Sequence, residues 1–242
     1  MRLLTVIAFA LTAAGALPAA GAKDEPTGRI AFSMGSSTHE DIYTVRADGS
    51  GLVRLTNDPA ADFDPSWSPD GRRIAYRHED ARSGQIYVMN ADGSQRRNLT
   101  RRRGLDYSPA WSPDGRKIAF DHISRSSSNW DIWVMNADGS GARPLIATGA
   151  TEQGPAWSRD GRTIAYQSDR GAPANYPRVW LARSDGSGRH LLTRRIGERP
   201  VWSKRGGYVL FTGTQIVVVR RDGSGVRSVQ VPGEPFLADW AR

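Results

Sequence analysis

Two histidines and three acids recur at matching places along the chain. His78 and His122 each stand two residues past an aromatic, Tyr76 and Phe120, where comparable segments carry Met34, Ser168 and Gly213. Asp62, Asp106 and Glu152 each lie five residues before a tryptophan (Trp67, Trp111, Trp157), with Glu198 one residue closer to Trp202. Imidazoles at neighbouring sites can contact a ligand or bind a metal, and carboxylates at one level can hold a hard cation or receive a basic partner. The plainer alternatives are polar residues on adjacent loops and turn-forming acids left in solvent. Arg103, Asp121 and Asp169 are further ligand-binding candidates. No residue is assigned as catalytic or as a metal ligand, and no cofactor is expected.

The chemistry of a conventional enzyme is thin. The sequence has no Gly-x-Ser-x-Gly elbow, no His-Glu-x-x-His and no phosphate-cradling glycine loop before a helix. Of its four histidines, His39 and His190 have no evident partner. Histidines and carboxylates on one face still leave room for a polysaccharide lyase or glycosidase, because such sites assemble from residues distant in sequence.

The elements that carry these residues are hairpins. Pro109-Ala-Trp-Ser-Pro-Asp-Gly-Arg-Lys-Ile-Ala-Phe120 reads as a strand ending in Trp111, a Pro-Asp-Gly turn, and a second strand with Lys117 and Ala119 outward, Ile118 and Phe120 inward. Copies stand at Trp67 and Trp157, a degraded copy at Trp202, and Trp240 ends the series. The intervals of 44, 46, 45 and 38 between these tryptophans lie at the period of four-stranded propeller blades. Asp-Gly-Ser follows an apolar run at Asp48, Asp92, Asp138, Asp185 and Asp222, marking a second hairpin per repeat.

The chain begins in mid-repeat at Gly28-Arg-Ile-Ala-Phe32 and ends on a lone first strand, Phe236-Leu-Ala-Asp-Trp240. Joining the two completes one blade. The expected fold is therefore an all-β, five-bladed propeller of four-stranded antiparallel blades, its ring closed by the C-terminal strand. Blade one combines 237–240 with 29–56; the others run roughly 65–100, 109–146, 155–193 and 200–231.

The repeated Trp-Ser-Pro-Asp-Gly unit, with Asp131-Ile-Trp-Val-Met-Asn-Ala-Asp-Gly-Ser140 and a closing Leu99-Thr100, resembles the WD-like repeat of TolB-type β-propellers from Arg29 to Trp240. That resemblance is specific for fold, while propellers of this kind serve as protein-binding modules, accessory domains and occasional lyases or hydrolases. The better-known member carries an extra N-terminal domain and six blades, against five tryptophan positions here, so the resemblance implies the propeller rather than a direct role in the Tol system.

Residues 1–22 read as a secretory signal peptide, with Arg2, an apolar stretch from Leu3 to Leu17 and Ala20-Gly-Ala22 before Lys23. Residues 23–27 form a short linker and 28–242 the single propeller domain. No second apolar stretch is long enough to span a membrane after cleavage. The absence of cysteine removes disulfides and thiolate chemistry. A formal charge of +8 fits a solvated surface or, as the sharper alternative, attraction to anionic envelope polymers or an acidic partner, and export disfavours nucleic acid. The expectation is a periplasmic or secreted monomer that binds an envelope protein, or an envelope glycan, through the loops that vary from blade to blade.

Overall fold

A computed structural model describes residues 28–36, 39–80, 83–101, 104–173, 176–213 and 215–229. Five antiparallel sheets follow one another along the chain. Blade one holds β1 (Arg29–Ser36), β2 (His39–Arg46) and β3 (Val53–Arg54). Blade two holds β4 (Ala61–Trp67), β5 (Arg73–Glu79), β6 (Gly84–Asn90) and β7 (Arg97–Asn98). Blade three holds β8 (Leu105–Trp111), β9 (Lys117–Ile123), β10 (Asp131–Asn136) and β11 (Arg143–Ile146). Blade four holds β12 (Glu152–Trp157), β13 (Thr163–Ser168), β14 (Arg178–Arg183) and β15 (His190–Ile196). Blade five holds β16 (Glu198–Trp202), β17 (Tyr208–Thr212), β18 (Ile216–Arg220) and β19 (Arg227–Val229). The chain is a five-bladed β-propeller. The expected closing strand, 236–240, lies outside the described residues, and so do the signal peptide and linker.

Local chemistry explains each turn. In the two Ser-Pro-Asp-Gly turns and in Ser158-Arg-Asp-Gly161, the Ser68, Ser112 and Ser158 hydroxyls donate to Asp70, Asp114 and Asp160, each of which also accepts a backbone N–H two residues on. These bonds to the charged form hold the Asp70 and Asp114 carboxyls below the usual range, and for Asp160 the Arg221 guanidinium is the larger cause. In Asp-Gly-Ser the glycine must be glycine. Gly186 sits at φ 83, and a Cβ there would lie 2.2 Å from the Leu145 carbonyl oxygen of the preceding blade.

Among the described residues the core is four clusters, each joining two successive blades. Ile42 and Leu55 pack on Ile74, Tyr76 and Met89; Ala75, Ile86, Val88 and Leu99 pack on Trp111, Ile118 and Phe120. The two later junctions repeat this with Ile132 and Leu145 against Ile164 and Tyr166, and Val179 and Leu192 against Val209 and Phe211. The expected alternation of buried and outward residues in the second strand is therefore corrected: Ile118, Ala119 and Phe120 are all 0% exposed. A blade flanked by two others has no solvent face.

The first strands also start earlier than the prolines at 65, 109, 155 and 200. Each contains a bulge at the residue before that proline, where register shifts between Phe63 and Ser66, Tyr107 and Ala110, Gln153 and Ala156, and Glu198 and Val201. Asp64, Ser108, Gly154 and Arg199 all have φ between 50 and 63 there. Proline, lacking an N–H, is tolerated at such a break in the ladder.

Candidate functional site

The bulge decides which side chains meet. One extra residue on each first strand pairs Asp62 with His78, Asp106 with His122, Glu152 with Ser168 and Glu198 with Thr212. The histidines and the row of acids are thus halves of the same pairs. His78 Nδ1–H donates to Asp62 Oδ1 at 2.7 Å, and His122 Nδ1–H donates to Asp106 Oδ1 at 2.7 Å. Each ring also packs on a third-strand aromatic 4.4 Å away, Tyr87 or Trp133. The hydrogen bond to Asp62 raises His78 above the ordinary imidazole value, against the opposing effect of burial.

Burial separates the two pairs. Asp106 and His122 are 0% and 5% exposed, whereas His78 keeps 19% of its side chain in solvent. Glu152 is also buried; its carboxylate accepts from the Thr148 hydroxyl and from Ser168, and burial raises its carboxyl. Asp169 Oδ1 accepts the Thr151 N–H at 2.9 Å and closes its loop.

Asp121 faces the opposite way, into the junction with blade four. It is 2% exposed, accepts the Gly154 N–H at 2.8 Å and a bond from the Ser108 side chain, and burial pushes it well above the usual carboxylate range. Gln167, at the same place one blade later, accepts the Arg199 N–H at 2.8 Å. The second strand therefore satisfies the bulge of the next blade from the side. Arg103 lies outside the described residues.

Blade two breaks that rule, because Arg77 occupies the place of Asp121 and Gln167 and has nothing to accept with. Its guanidinium instead lies 4.1 Å from the Phe63 ring centre and 4.2 Å from that of Tyr107, which in turn lies 4.9 Å from Trp130. Asp64 and Glu79 stand 3.7 and 3.5 Å from Arg77, and the Tyr107 hydroxyl donates to Glu79 at 3.2 Å. Gly84 makes room: a Cβ there would lie 2.3 Å from the Tyr107 ring. This half-buried ladder, at the end of the blades where the loops vary, was missed by sequence reasoning. Its signal was the substitution of Arg77 at a repeat position otherwise filled by acceptors.

Five sheets of one repeat, joined face to face and carrying a uniform end and a varied end, define a propeller of the WD-like kind. The chain belongs to the TolB beta propeller domain family, matching it over residues 19–104 and 94–231. A stretch of 39 residues is 46% identical to the Tol-Pal system protein TolB of Anaeromyxobacter dehalogenans, covering 16% of this chain and 9% of that protein. Among solved structures, TolB from Acinetobacter baumannii superposes with a TM-score of 0.71 at 18% identity, over 83% of this chain and 52% of that one. An oligogalacturonate lyase in complex with manganese gives 0.63 at 13% identity, over 83% and 61%. At these identities the likeness to both is one of fold.

Proposed function

We propose that the chain is an exported, non-catalytic binding module that engages a protein of the cell envelope through its varied end. The curated relatives it matches over a short stretch are named for the Tol-Pal system, which favours a protein over an envelope glycan. The observation that carries the reading is the Phe63–Arg77–Tyr107–Trp130 ladder with its flanking acids. Arginine, tyrosine and tryptophan in a half-buried patch are what hot spots are made of, and the stack is preorganised, which lowers the cost of ordering on contact.

Against catalysis stands the employment of the candidate groups. Asp106, His122, Asp121 and Glu152 are buried and bonded to one another or to backbone, so they hold blades rather than await a substrate. The reading includes a signal peptide at 1–22, a linker at 23–27, a propeller domain to 242, a periplasmic or secreted location and a monomeric state.

The test is capture from an envelope extract of the source organism by the native chain, by Arg77→Ala/Tyr107→Ala, and by Arg159→Ala on the uniform end. A defined protein retained by the native and Arg159 chains and lost by the double variant supports the reading. Capture indifferent to both variants, or release of sugar fragments from an envelope glycan, overturns it.

A further inference from the structure

We infer that Asp58, Asp62 and His78 form a binding site for one divalent transition-metal ion, at the junction of blades one and two. One oxygen of each carboxylate and one imidazole nitrogen lie within 4.8 Å of one another. Strand alternation places His78 on the same side of β5 as Ile74 and Tyr76, the side that packs on Ile42 and Leu55 of blade one. Asp58 arrives from the loop that leaves blade one. The site therefore takes ligands from a rigid strand pair and from a connecting segment.

An independent observation points to a ligand. Asp62 is 0% exposed, yet only its Oδ1 is engaged, by His78; its Oδ2 is buried and has no hydrogen-bond partner among the described residues. Buried carboxylate oxygens are ordinarily paired or bound to metal. Asp58 Oδ1 accepts a single backbone N–H, from Ala60 at 3.2 Å, and Oδ2 accepts Arg96 at 2.9 Å. With a neutral imidazole, two carboxylates outweigh the one guanidinium, so the cluster keeps a negative charge in a chain whose formal charge is +8.

The donor set selects the ion. Two carboxylate oxygens and an imidazole nitrogen suit zinc or manganese better than calcium, which prefers six to eight oxygens. If the ion uses Nδ1, His78 binds as its Nε2–H tautomer: a neutral ring moves its proton from Nδ1 to Nε2, and an imidazolium releases its Nδ1 proton to solvent.

Blade three supplies a control within the molecule. Asp106 and His122 repeat the same bond and the same unpartnered Oδ2, and Asp131 faces His122 across the ladder, but among the described residues no third carboxylate brings an oxygen within 4.8 Å of both. In the sequence Arg102 stands where blade two has Asp58. The third ligand is what distinguishes the site.

The experiment is calorimetric titration of the full chain with Zn2+ alone, after chelator treatment, beside Asp58→Asn, His78→Gln and His122→Gln. One equivalent is expected for the native chain and for His122→Gln. Affinity should fall by at least about 100-fold in the other two, since groups merely supporting a ligand are worth about 10–100-fold. Circular dichroism checks that each variant is folded, and Co2+ absorption reports whether an imidazole is coordinated. Absence of a stoichiometric site in the native chain, or a site unchanged by Asp58→Asn, overturns the inference.

Discussion

Asp121 bonds the Gly154 N–H from a position that burial makes unfavourable for its charge, so the acceptor and the charge can be tested apart. Asp121→Ala leaves the Gly154 N–H unsatisfied and should cost about 1–3 kcal/mol. Asp121→Asn keeps an acceptor without the charge, and its thermal midpoint at neutral pH should equal or exceed the native one. The raised carboxyl has the matching pH signature: native stability falls as pH climbs from the ordinary carboxylate range to the raised value, and Asp121→Asn loses that slope. His78 titrates with its own sign. Asp62 raises it, so the pairing stabilises the fold fully below an ordinary imidazole value of about 6.5 and is lost as pH rises through the raised one. The stability gap between the native chain and His78→Gln, read by urea melts, should be widest below an ordinary imidazole value of about 6.5 and shrink as pH rises above it. The sequence displayed the two histidines and the row of acids but not their pairing. An unbroken hairpin running from the Trp67–Ile74 pair would set His78 against Phe63 and Asp62 against Glu79; one extra residue moves every partner by a place.

That extra residue belongs to the element scale, where legibility divides by chemistry. Both turns announce themselves through Pro, Asp, Gly and Ser, whose local bonding is the cause of the turn, and the strands followed from them. The bulge had no such announcement, because the four residues at it, Asp64, Ser108, Gly154 and Arg199, share a backbone angle and a following proline but no side-chain type. What holds Gly154 and Arg199 is the neighbouring blade, a tertiary cause. Arg199 is exposed at φ 50, so a β-branched residue there meets the full steric penalty: Arg199→Val should lower stability by about 1–2 kcal/mol, and Arg199→Gly should be near neutral. Denaturant midpoints decide between them. Gly186→Ala should be worse than either exposed change, since the new methyl meets the Leu145 carbonyl as well as a left-handed backbone.

For the whole molecule, the sequence conveyed the architecture because one short unit, repeated, fixes the period and the strand count. It conveyed less about the ends. In blades two to four the isoleucine that opens the second strand lies opposite a tryptophan, Trp67 with Ile74, Trp111 with Ile118 and Trp157 with Ile164, and each of these isoleucines is 0% exposed. Ile30 holds the same place in blade one and is 53% exposed. β4 of blade two touches β1 and β2, as β8 touches β4, β5 and β6, so β1 and β2 take the second and third positions of their blade. The position left is the one the sequence assigns to Trp240. Deleting residues 235–242 should then lower the thermal midpoint by the equivalent of several kcal/mol, more than one large core side chain contributes; an unchanged midpoint would mean the ring is not shut by that strand.

The bonds from Asp121 to Gly154 and from Gln167 to Arg199 give blade four one half of a fastening on either side, an N–H facing back to blade three and an acceptor facing forward to blade five. Blade four is in this sense an interchangeable part: a duplicated copy would bring both halves. Blade two is not interchangeable, since Arg77 meets Tyr107 by stacking alone. The ladder is thus pinned to one place on the circumference, and a ring built from equal pieces acquires a front.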